Sequence, residues 1–340
     1  MDLVDLGPMR VTRLCLGTML MGGRTPADEA PAILDAYVDA GHNFIDTADV
    51  YGDGLSERTL APWLARRRDD VVVATKVRFE VSDPGGSGLQ PDRIARACDA
   101  SLRRLGIDVI DLYQLHAPDP EVPIEDTLAA LDALVRAGKV RALGASNFPA
   151  WLLAWAVAVQ DREGLSPFVS LQPQYSLVER TVEIELLPFC RAAGLAVLPW
   201  GPLGAGFLTG RYQRDVEPPA GSRIAEAGDD LEEAMHRRGT EANFRAVDEA
   251  RAVADELGAS VPQVALAWLL HQPSVTAPII GPRTAEQLED LLPATELALS
   301  DEQLERLGRW TAPPPTAPQR MLTEQAGLDV GRQKLRRSSV

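Results

Sequence analysis

The chain has 340 residues, of which 45% are hydrophobic and 24% charged, a composition typical of a globular protein with a sizeable core. Its formal net charge of -15 argues against a nucleic-acid partner, because proteins that bind phosphate backbones gather Lys and Arg into patches. No apolar stretch reaches the ~18 residues of a membrane span, and acidic residues stand where a signal peptide is positively charged, so we expect a cytoplasmic protein without a membrane partner.

Short β-branched runs alternate along the chain with longer helical runs, which predicts repeated βα units around a parallel sheet. The predicted strands, in chain order, are Arg13–Thr18, Asn43–Thr47, Val71–Lys76, Val109–His116, Val140–Ser146, Phe168–Gln172, Ala196–Trp200 and Val275–Ile280. The predicted helices are Ala27–Ala40, Glu57–Arg67, Pro91–Leu105, Ile124–Ala137, Pro149–Gln160, Ile184–Ala193, Thr240–Leu257, Pro262–Leu270 and Ala285–Leu292. Because eight successive βα units close naturally into a barrel, the predicted fold class is α/β, a (β/α)8 TIM barrel.

Residues at the helix ends support this segmentation. Gly41, Gly138 and Gly194 follow last helical turns, where a left-handed residue commonly ends a helix. Pro91 and Pro149 stand at first turns, where a missing amide proton costs no hydrogen bond. The predicted helices therefore rest on end signals as well as on periodicity.

Two stretches exceed a minimal barrel. Gly201–Gly239 is a long loop after the seventh strand, rich in Gly, Pro and charged residues, and loops of this length are usually functional. Thr311–Val340 begins with TAPPPTAP and has the composition of a linker and tail. We therefore expect one barrel domain over residues 1–310 and a C-terminal tail over residues 311–340.

The three cysteines, Cys15, Cys98 and Cys190, are widely spaced and form no CxxC motif. An odd number of cysteines with this spacing argues against a disulfide framework and against a structural zinc site. The sequence therefore indicates reduced thiols and predicts no metal site.

Polar residues follow three consecutive predicted strands, at the end where barrels of this kind carry their catalytic groups. Asp46 ends the second strand in FIDTADVYG, and Tyr51 lies in the loop that follows. Lys76, one of only three lysines in the chain, ends the third strand in VVVATK, and His116 ends the fourth in DLYQLH. We expect these four side chains at one rim of the barrel.

The residue types suit proton transfer to an oxygen. A tyrosine with its ordinary pKa of about 10 is a poor acid at neutral pH, and the nearby ammonium of Lys76 would lower that pKa. Asp46 would keep Lys76 protonated, because a lone buried ammonium is costly. His116 would hydrogen-bond a carbonyl oxygen. The set predicts general acid catalysis coupled to hydride transfer from a nicotinamide.

Each residue also has a structural explanation. Asp46 could cap a turn, Tyr51 could pack beside Gly52, Lys76 could extend to solvent, and His116 could be a satisfied structural histidine. Taken singly, the structural explanation is the stronger one in each case. Four such residues at the same rim favour a shared chemical role.

The segments NFIDTADVYGDGLSE, VVATK, DLYQLH, VRALGASN, LQPQYSLV and LPWGPLGAGFLTGRY together resemble the aldo-keto reductase family, along the chain to about residue 310. The resemblance is to the long-chain bacterial type, similar to the branch of the potassium-channel β subunits. It implies a (β/α)8 barrel that binds NADP(H) across its C-terminal rim. It also aligns Asp46, Tyr51, Lys76 and His116 with the family's catalytic tetrad, with Tyr51 as the general acid/base.

The first strand is followed by GTMLMGG at Gly17–Gly23 rather than by GxGxxG, so a Rossmann site is not indicated. Ser146, Asn147 and Gln172 end strands five and six with side chains that can hydrogen-bond an amide. The resemblance implies that they orient the nicotinamide carboxamide. It also implies that Tyr175 stacks on the nicotinamide ring.

The resemblance implies that the WGPLGAGFL segment after strand seven forms a wall along the pyrophosphate. Gly204 and Gly206 would let backbone amides approach the pyrophosphate closely. Arg211 and Arg223 occupy positions where relatives have basic residues near the phosphates, and solvated arginines are the alternative explanation. The resemblance adds to this wall Trp200, Gly201, Pro202 and Leu203.

The segment IIGPRTAEQLEDLL carries the remaining predicted cofactor contacts, beginning at Gly281. Its helix N-terminus suits an anion, and Arg283 would clamp the 2′-phosphate, which predicts a preference for NADP(H) over NAD(H). Gln287 and Asp290 would face the adenosine. The resemblance implies Glu then Asn at the end of this segment, whereas here Asp290 precedes Leu291, so the sequence departs from the family pattern at one adenine contact.

The predicted function is NADPH-dependent reduction of an aldehyde or ketone, with a small carbonyl compound as the partner. The retained His116 favours carbonyl reduction over the carbon–carbon double-bond reduction of relatives that lack this histidine. Two alternatives stay open, a ketoreductase for nucleotide-linked deoxysugars and a slow redox-sensing subunit that binds NADPH. The substrate pocket would be shaped by the Gly201–Gly239 loop and by Met19, Met21, Tyr51, Phe79, and Trp151 or Trp155. The sequence sets no oligomeric state.

Overall fold

Parallel strands form a closed barrel at the centre of the structure, a computed structural model that describes residues 3–226, 235–314 and 316–322. The strands are β1 (Leu3–Leu6), β2 (Met9–Thr12), β3 (Cys15–Gly17), β4 (Phe44–Asp46), β5 (Val72–Val77), β6 (Ile110–Leu115), β7 (Val140–Ser146), β8 (Phe168–Gln172), β9 (Ala196–Val197) and β10 (Ile279–Ile280). Strands β3 to β10 pair in parallel in the order β10-β3-β4-β5-β6-β7-β8-β9. Backbone hydrogen bonds from Thr276 to the Val197 carbonyl (2.9 Å) and from Ile279 to the Pro199 carbonyl (2.8 Å) close the circle. The predicted (β/α)8 fold is confirmed.

Helices follow the barrel strands and cover their outer faces. They are α1 (Ala30–Asp39), α2 (Leu55–Arg67), α3 (Pro91–Leu105), α4 (Ile124–Arg136), α5 (Ala150–Glu163), α6 (Leu186–Ala193), α7 (Arg223–Glu226), α8 (Met235–Arg238), α9 (Glu241–Leu257), α10 (Val261–Leu270), α11 (Ala285–Leu291), α12 (Asp301–Gly308) and α13 (Ala317–Arg320). Pro91 is the first residue of α3, and Gly194 ends α6 in the left-handed conformation with φ of 68°. These ends agree with the sequence signals.

Successive strand residues alternate between the inside of the barrel and its helical coat. On β4, β5 and β6, Phe44, Ala74 and Leu112 belong to one apolar cluster inside the barrel. Their neighbours Ile45 and Val73 belong to a different cluster, which includes residues of α1. The next inward residues along these three strands are polar and buried, namely Asp46, Lys76 and Gln114. An apolar floor therefore lies beneath a polar layer at the C-terminal end of the barrel.

A β-hairpin that the sequence analysis missed covers the opposite end of the barrel. Strands β1 and β2 pair antiparallel, and Leu6, Met9 and Val11 join the apolar cluster inside the barrel. The turn requires a glycine, because Gly7 has φ of 58° and an added Cβ would lie 2.6 Å from Cγ1 of Val169. The hairpin closes the end of the barrel opposite the polar layer.

The last two barrel strands are shorter than predicted. The predicted strand Ala196–Trp200 is a ladder only over β9, and Val275–Ile280 is a ladder only over β10. Pro199 and Pro278 lie within these stretches, and proline lacks the amide proton that a regular ladder needs. Helix α12 was not predicted, although Ser300 begins it with a capping box.

The long loop Gly201–Gly239 contains a 3-10 helix over Gly204–Thr209 as well as α7 and α8. Residues 227–234 of this loop, and residues 315 and 323–340 of the tail, lie outside the described residues. The division into a barrel domain up to residue 310 and a tail stays a prediction.

All three cysteines are buried and unpaired. Burial raises the pKa of the Cys98 and Cys190 thiols to about 12. Across the described part of the chain, no helix is long and apolar enough to cross a membrane. No group of three or more His, Cys, Asp or Glu residues suited to a metal ion occurs in that same part.

Candidate active site

The ammonium of Lys76 is fully buried and has three hydrogen-bond acceptors around it. Nζ donates to Oδ1 of Asp46 at 2.5 Å, to the Thr47 carbonyl at 2.8 Å and to the phenolic oxygen of Tyr51 at 3.1 Å. An ammonium has three protons, so every donor of Lys76 is used. The structure therefore joins three of the four predicted tetrad residues in one contact network.

Strand ends and one tight loop bring these residues together. Asp46 is the last residue of β4, and the loop that follows turns back so that the Tyr51 amide bonds the Ala48 carbonyl at 3.2 Å. His116 follows β6, and its ring meets the Tyr51 ring edge-on with a centroid distance of 5.7 Å. The four side chains lie at one rim, as expected from the strand ends.

The protonation of Lys76 is set by opposing effects. Burial would lower the pKa of its ammonium, but the charge of Asp46 and the hydrogen bonds to Asp46 and Tyr51 outweigh this effect and raise the pKa. Lys76 is therefore a cation at neutral pH. Its desolvation is compensated by a carboxylate in direct contact, the condition under which a buried charge is tolerated.

The pKa of Tyr51 differs from the sequence-based expectation. Burial of the phenol raises its pKa above the ordinary value of 10.0, and the opposing charge of Lys76 only limits the rise. Burial and the Lys76 charge together lower the pKa of His116 well below its usual range. At neutral pH the site therefore holds a protonated phenol beside a neutral imidazole.

The second oxygen of Asp46 is held by two glutamine side chains. Nε2 of Gln172 donates to Oδ2 at 2.9 Å, and Nε2 of Gln114 donates to the same oxygen at 3.1 Å. Gln114 is absent from the predicted site. The alternation of β6 was a usable signal, because Gln114 stands two residues before His116 and so shares its inward face.

A cavity of 660 Å³ opens at this rim and extends from Tyr51 and His116 to the segment after β10. Lys76 lies behind Tyr51 rather than in the cavity wall. Seventeen of the predicted site residues line the cavity: Asp46, Tyr51, His116, Ser146, Asn147, Gln172, Trp200, Gly201, Pro202, Leu203, Gly206, Arg211, Arg223, Gly281, Arg283, Gln287 and Asp290.

The structure does not place Tyr175, which was predicted to stack on the nicotinamide ring, in the cavity wall. Tyr175 is fully buried outside the cavity wall, donates to Oε1 of Glu183 at 2.7 Å and packs edge-on against Trp268. Trp200 does line the cavity, as do Tyr51 and Tyr212, and its indole N–H donates to Oδ1 of Asn147 at 2.9 Å. Trp200 therefore replaces Tyr175 as the candidate for stacking.

The amides of Gly204 and Gly206, which were predicted to approach the pyrophosphate, donate hydrogen bonds within their own loop. The Gly204 amide donates to the Gly201 carbonyl at 2.9 Å, and the Gly206 amide donates to the Leu203 carbonyl at 3.0 Å. Gly204 lies outside the cavity wall, and an added Cβ there would lie 2.8 Å from Cγ2 of Val178. These glycines serve the turns of their own loop, since both have positive φ.

The residues predicted to bind the nicotinamide carboxamide make hydrogen bonds within the protein. Nδ2 of Asn147 donates to the His116 carbonyl at 2.9 Å, and Oγ of Ser146 donates to the Gln172 carbonyl at 2.8 Å. Asn147 thus links the backbone of His116 to the Trp200 indole. These bonds fix the wall of the cavity near the tetrad.

Arginines supply the positive charge of the cavity wall. Besides the predicted Arg211, Arg223 and Arg283, the wall includes Arg24, which forms an ion pair with Glu226 of α7. Arg24 follows β3, and no sequence pattern indicated that it would meet a residue so far along the chain. The ion pair connects the loop after β3 to the long loop.

The predicted substrate-pocket residues divide into two groups. Met19 and Tyr51 line the cavity, whereas Met21 is buried in the core around α1. Phe79 lies outside the wall but packs against the His116 ring at a centroid distance of 4.9 Å. Trp151 is 70% exposed on α5, and neither it nor Trp155 lines the cavity.

Known proteins resemble this chain over most of its length. The model of the Aldo/keto reductase family matches residues 13–310. The uncharacterized oxidoreductase YrpG of Bacillus subtilis is 41% identical, over 88% of this chain and 92% of its own. Norsolorinic acid reductase stcV of Emericella nidulans is 34% identical, over 89% and 79%. A probable voltage-gated potassium channel subunit beta of Oryza sativa is 33% identical, over 85% and 89%.

Proposed function

This chain belongs to the aldo/keto reductase family, and from that premise we propose that it reduces an aldehyde or ketone to an alcohol with NADPH. The observation that carries the proposal is the Asp46–Lys76–Tyr51 hydrogen-bond chain beside His116 at the edge of a large cavity. This arrangement offers a proton donor and a neutral hydrogen-bond donor to one carbonyl oxygen.

The residues of the site divide the work of the reaction. His116, as a neutral imidazole, donates a hydrogen bond to the carbonyl oxygen and orients it toward Tyr51. The phenol of Tyr51 gives its proton to that oxygen as negative charge develops there. The Lys76 ammonium stabilises the resulting phenolate, and Asp46 keeps Lys76 charged. Bound NADPH would supply the hydride for the carbonyl carbon.

The cavity wall fits this cofactor. Arg283, Arg211 and Arg223 supply guanidinium groups for the phosphates, and a guanidinium binds a terminal phosphate with two parallel hydrogen bonds. Gln172 lies at the tetrad end of the cavity with an amide suited to the nicotinamide carboxamide. The Trp200 ring is the candidate stacking surface. The preference for NADPH over NADH is therefore assigned to Arg283.

A second candidate is an NADPH-binding subunit that turns over slowly. It is favoured by the relatives named as potassium channel β subunits. The alternative of a ketoreductase for nucleotide-linked deoxysugars stays a prediction. Turnover separates the first two candidates, because both require NADPH binding but only a reductase consumes it at a useful rate.

The test is NADPH oxidation by the purified protein with a panel of aromatic and aliphatic aldehydes and ketones, followed by the absorbance of the reduced nicotinamide. Tyr51→Phe is the matched control, because it removes only the hydroxyl. We expect turnover by the wild type and a rate about 10² to 10⁴ lower in the variant. Tight NADPH binding without oxidation by any carbonyl, or equal rates for both proteins, would contradict the proposal.

A further inference from the structure

Both oxygens of the buried Asp46 carboxylate accept hydrogen bonds from side chains. Oδ1 accepts from Lys76 at 2.5 Å, while Oδ2 accepts from Gln172 at 2.9 Å and from Gln114 at 3.1 Å. Nε2 of Gln172 also approaches Oε1 of Gln114 at 3.4 Å. The two amides and the carboxylate therefore form a closed set of contacts directly behind the Lys76–Tyr51 hydrogen bond.

Gln114 is placed for this contact by the barrel itself. It is fully buried on β6, where it is paired in register with Lys76 of β5 on one side and Gly144 of β7 on the other. An added Cβ on Gly144 would lie 3.1 Å from Cγ of Gln114 and 2.6 Å from Oγ of Ser170. The absence of a side chain at Gly144 leaves the space that the Gln114 side chain occupies.

The two glutamines differ in their exposure to ligand. Gln172 lines the cavity, so a bound cofactor can compete for its amide. Gln114 is not part of the cavity wall and keeps its contact with Asp46 whatever the cavity holds. Of the two hydrogen bonds to Oδ2, the one from Gln114 is therefore the one for which a ligand in the cavity does not compete.

We propose that Gln114 is a positioning residue, whose amide holds Oδ2 of Asp46 so that Oδ1 stays on Lys76 and Lys76 stays on Tyr51. Without this donor, Oδ2 is held only by Gln172, for whose amide a bound cofactor can compete, and the carboxylate that faces the Lys76 ammonium is then less firmly fixed. Hydrogen bonds to charged groups are the stronger ones, so one buried amide is sufficient for this role. The catalytic part of this inference rests on the proposed function.

The first test compares Gln114→Met with the wild type. Methionine matches the length of glutamine but donates no hydrogen bond. We expect kcat to fall roughly 10- to 100-fold, since a hydrogen bond to a charged group is lost, with the Kd for NADPH unchanged. Gln160→Met is the matched control, because Gln160 is also buried and hydrogen-bonded but lies on α5, away from the site. A kcat equal to that of the control variant would overturn the proposal.

A conservative variant separates positioning from simple space filling. In Gln114→Glu the introduced carboxyl group donates to Asp46 only while it is protonated. We expect kcat, relative to the wild type, to be rescued at low pH and lost as the pH rises and the introduced group ionises beside Asp46. A kcat ratio that does not change with pH would contradict the proposed contact.

The second test is independent of turnover. The chain has only three lysines, so proteins labelled with ¹⁵N at the lysine side chains give few NMR signals, and Lys76→Met identifies that of Lys76. The titratable groups that act on Lys76 are Asp46 of β4, Tyr51 of the loop, Cys15 of β3 and His116 after β6. All of these remain in Gln114→Met.

We expect the Lys76 ammonium of Gln114→Met to exchange its protons faster and to deprotonate at lower pH than in the wild type, while Gln160→Met leaves both unchanged. Identical Lys76 spectra in the wild type and Gln114→Met would overturn the proposal. If the wild type reduces no carbonyl, the proposed function fails, but the NMR comparison still decides whether Gln114 positions the Asp46–Lys76 pair.

Discussion

The Lys76 ammonium donates a 3.1 Å hydrogen bond to the phenolic oxygen of Tyr51. Lys76 itself is fully buried. Because the donor is a cation, the contact becomes stronger when the phenol loses its proton. The same cation also holds Asp46. Chemistry at Tyr51 and stability of the barrel interior are therefore linked through one ammonium group.

This link predicts that activity and stability can be separated by mutation. Lys76→Met should lower kcat about 10²-fold or more, because the ammonium beside Tyr51 is lost. It should also lower the free energy of unfolding by about 3 to 5 kcal/mol, because Asp46 is left as a buried charge without a counter-ion. Adding Asp46→Leu should restore most of the stability without activity. Urea unfolding and kcat check both effects, and a stable but inactive single variant would argue against a charged Asp46.

Cofactor choice is predicted to depend on Arg283. Arg283→Ala should raise the Kd for NADPH about 10- to 100-fold and leave the Kd for NADH unchanged, because only NADPH has the additional phosphate. Arg66→Ala, at an exposed arginine on α2, is the control for the loss of one positive charge. Equal weakening of both cofactors would show that Arg283 does not bind the 2′-phosphate. Fluorescence titration of the reduced cofactors is the measurement.

Two variants test whether Trp200, rather than Tyr175, stacks on the nicotinamide ring. Trp200→Ala should raise the Kd for NADPH at least about 3-fold, because an aromatic surface in the cavity wall is lost. Tyr175→Phe should leave the Kd unchanged, because its hydroxyl bonds Glu183 outside the cavity. The opposite ranking of the two variants would restore the sequence-based assignment.

The pattern of successes and failures has a physical origin. Strand ends of a parallel barrel converge by geometry, so Asp46, Lys76 and His116 could be grouped from the sequence alone. The same alternation would have added Gln114, had inward residues below the rim been considered. Roles that depend on loop conformation could not be obtained this way. Tyr175 follows a strand but turns into the core, and no pattern relates Arg24 to Glu226.

Asp49 predicts a dependence of stability on pH. It lies in the loop between Asp46 and Tyr51, is fully buried, and has Arg93 at 3.7 Å but no hydrogen-bond partner for its carboxylate among the described residues. Burial, followed by the charge of Glu57, raises the pKa of Asp49 to about 7. The folded state therefore favours the protonated form, and stability is lost as the pH rises from the unfolded pKa near 4 through 7.

Asp49→Asn removes this titration. Relative to the wild type, the variant should gain up to about 4 kcal/mol in free energy of unfolding, with the difference growing steadily from about pH 4 and levelling off above about pH 7. Denaturant unfolding of both proteins across this pH range is the measurement. A constant difference between them at every pH would mean that Asp49 is ionised throughout in the folded protein.

The central claim is that a carbonyl carbon receives a hydride while Tyr51 supplies the proton, and deuterium transfer tests it most directly. NADPH that carries deuterium at both C4 positions is incubated with the protein and a carbonyl substrate, and the alcohol is analysed by mass spectrometry. The account predicts one deuterium on the carbinol carbon with the wild type and almost no labelled alcohol with Tyr51→Phe. Alcohol without deuterium, or equal amounts of labelled alcohol from the wild type and Tyr51→Phe, would contradict it.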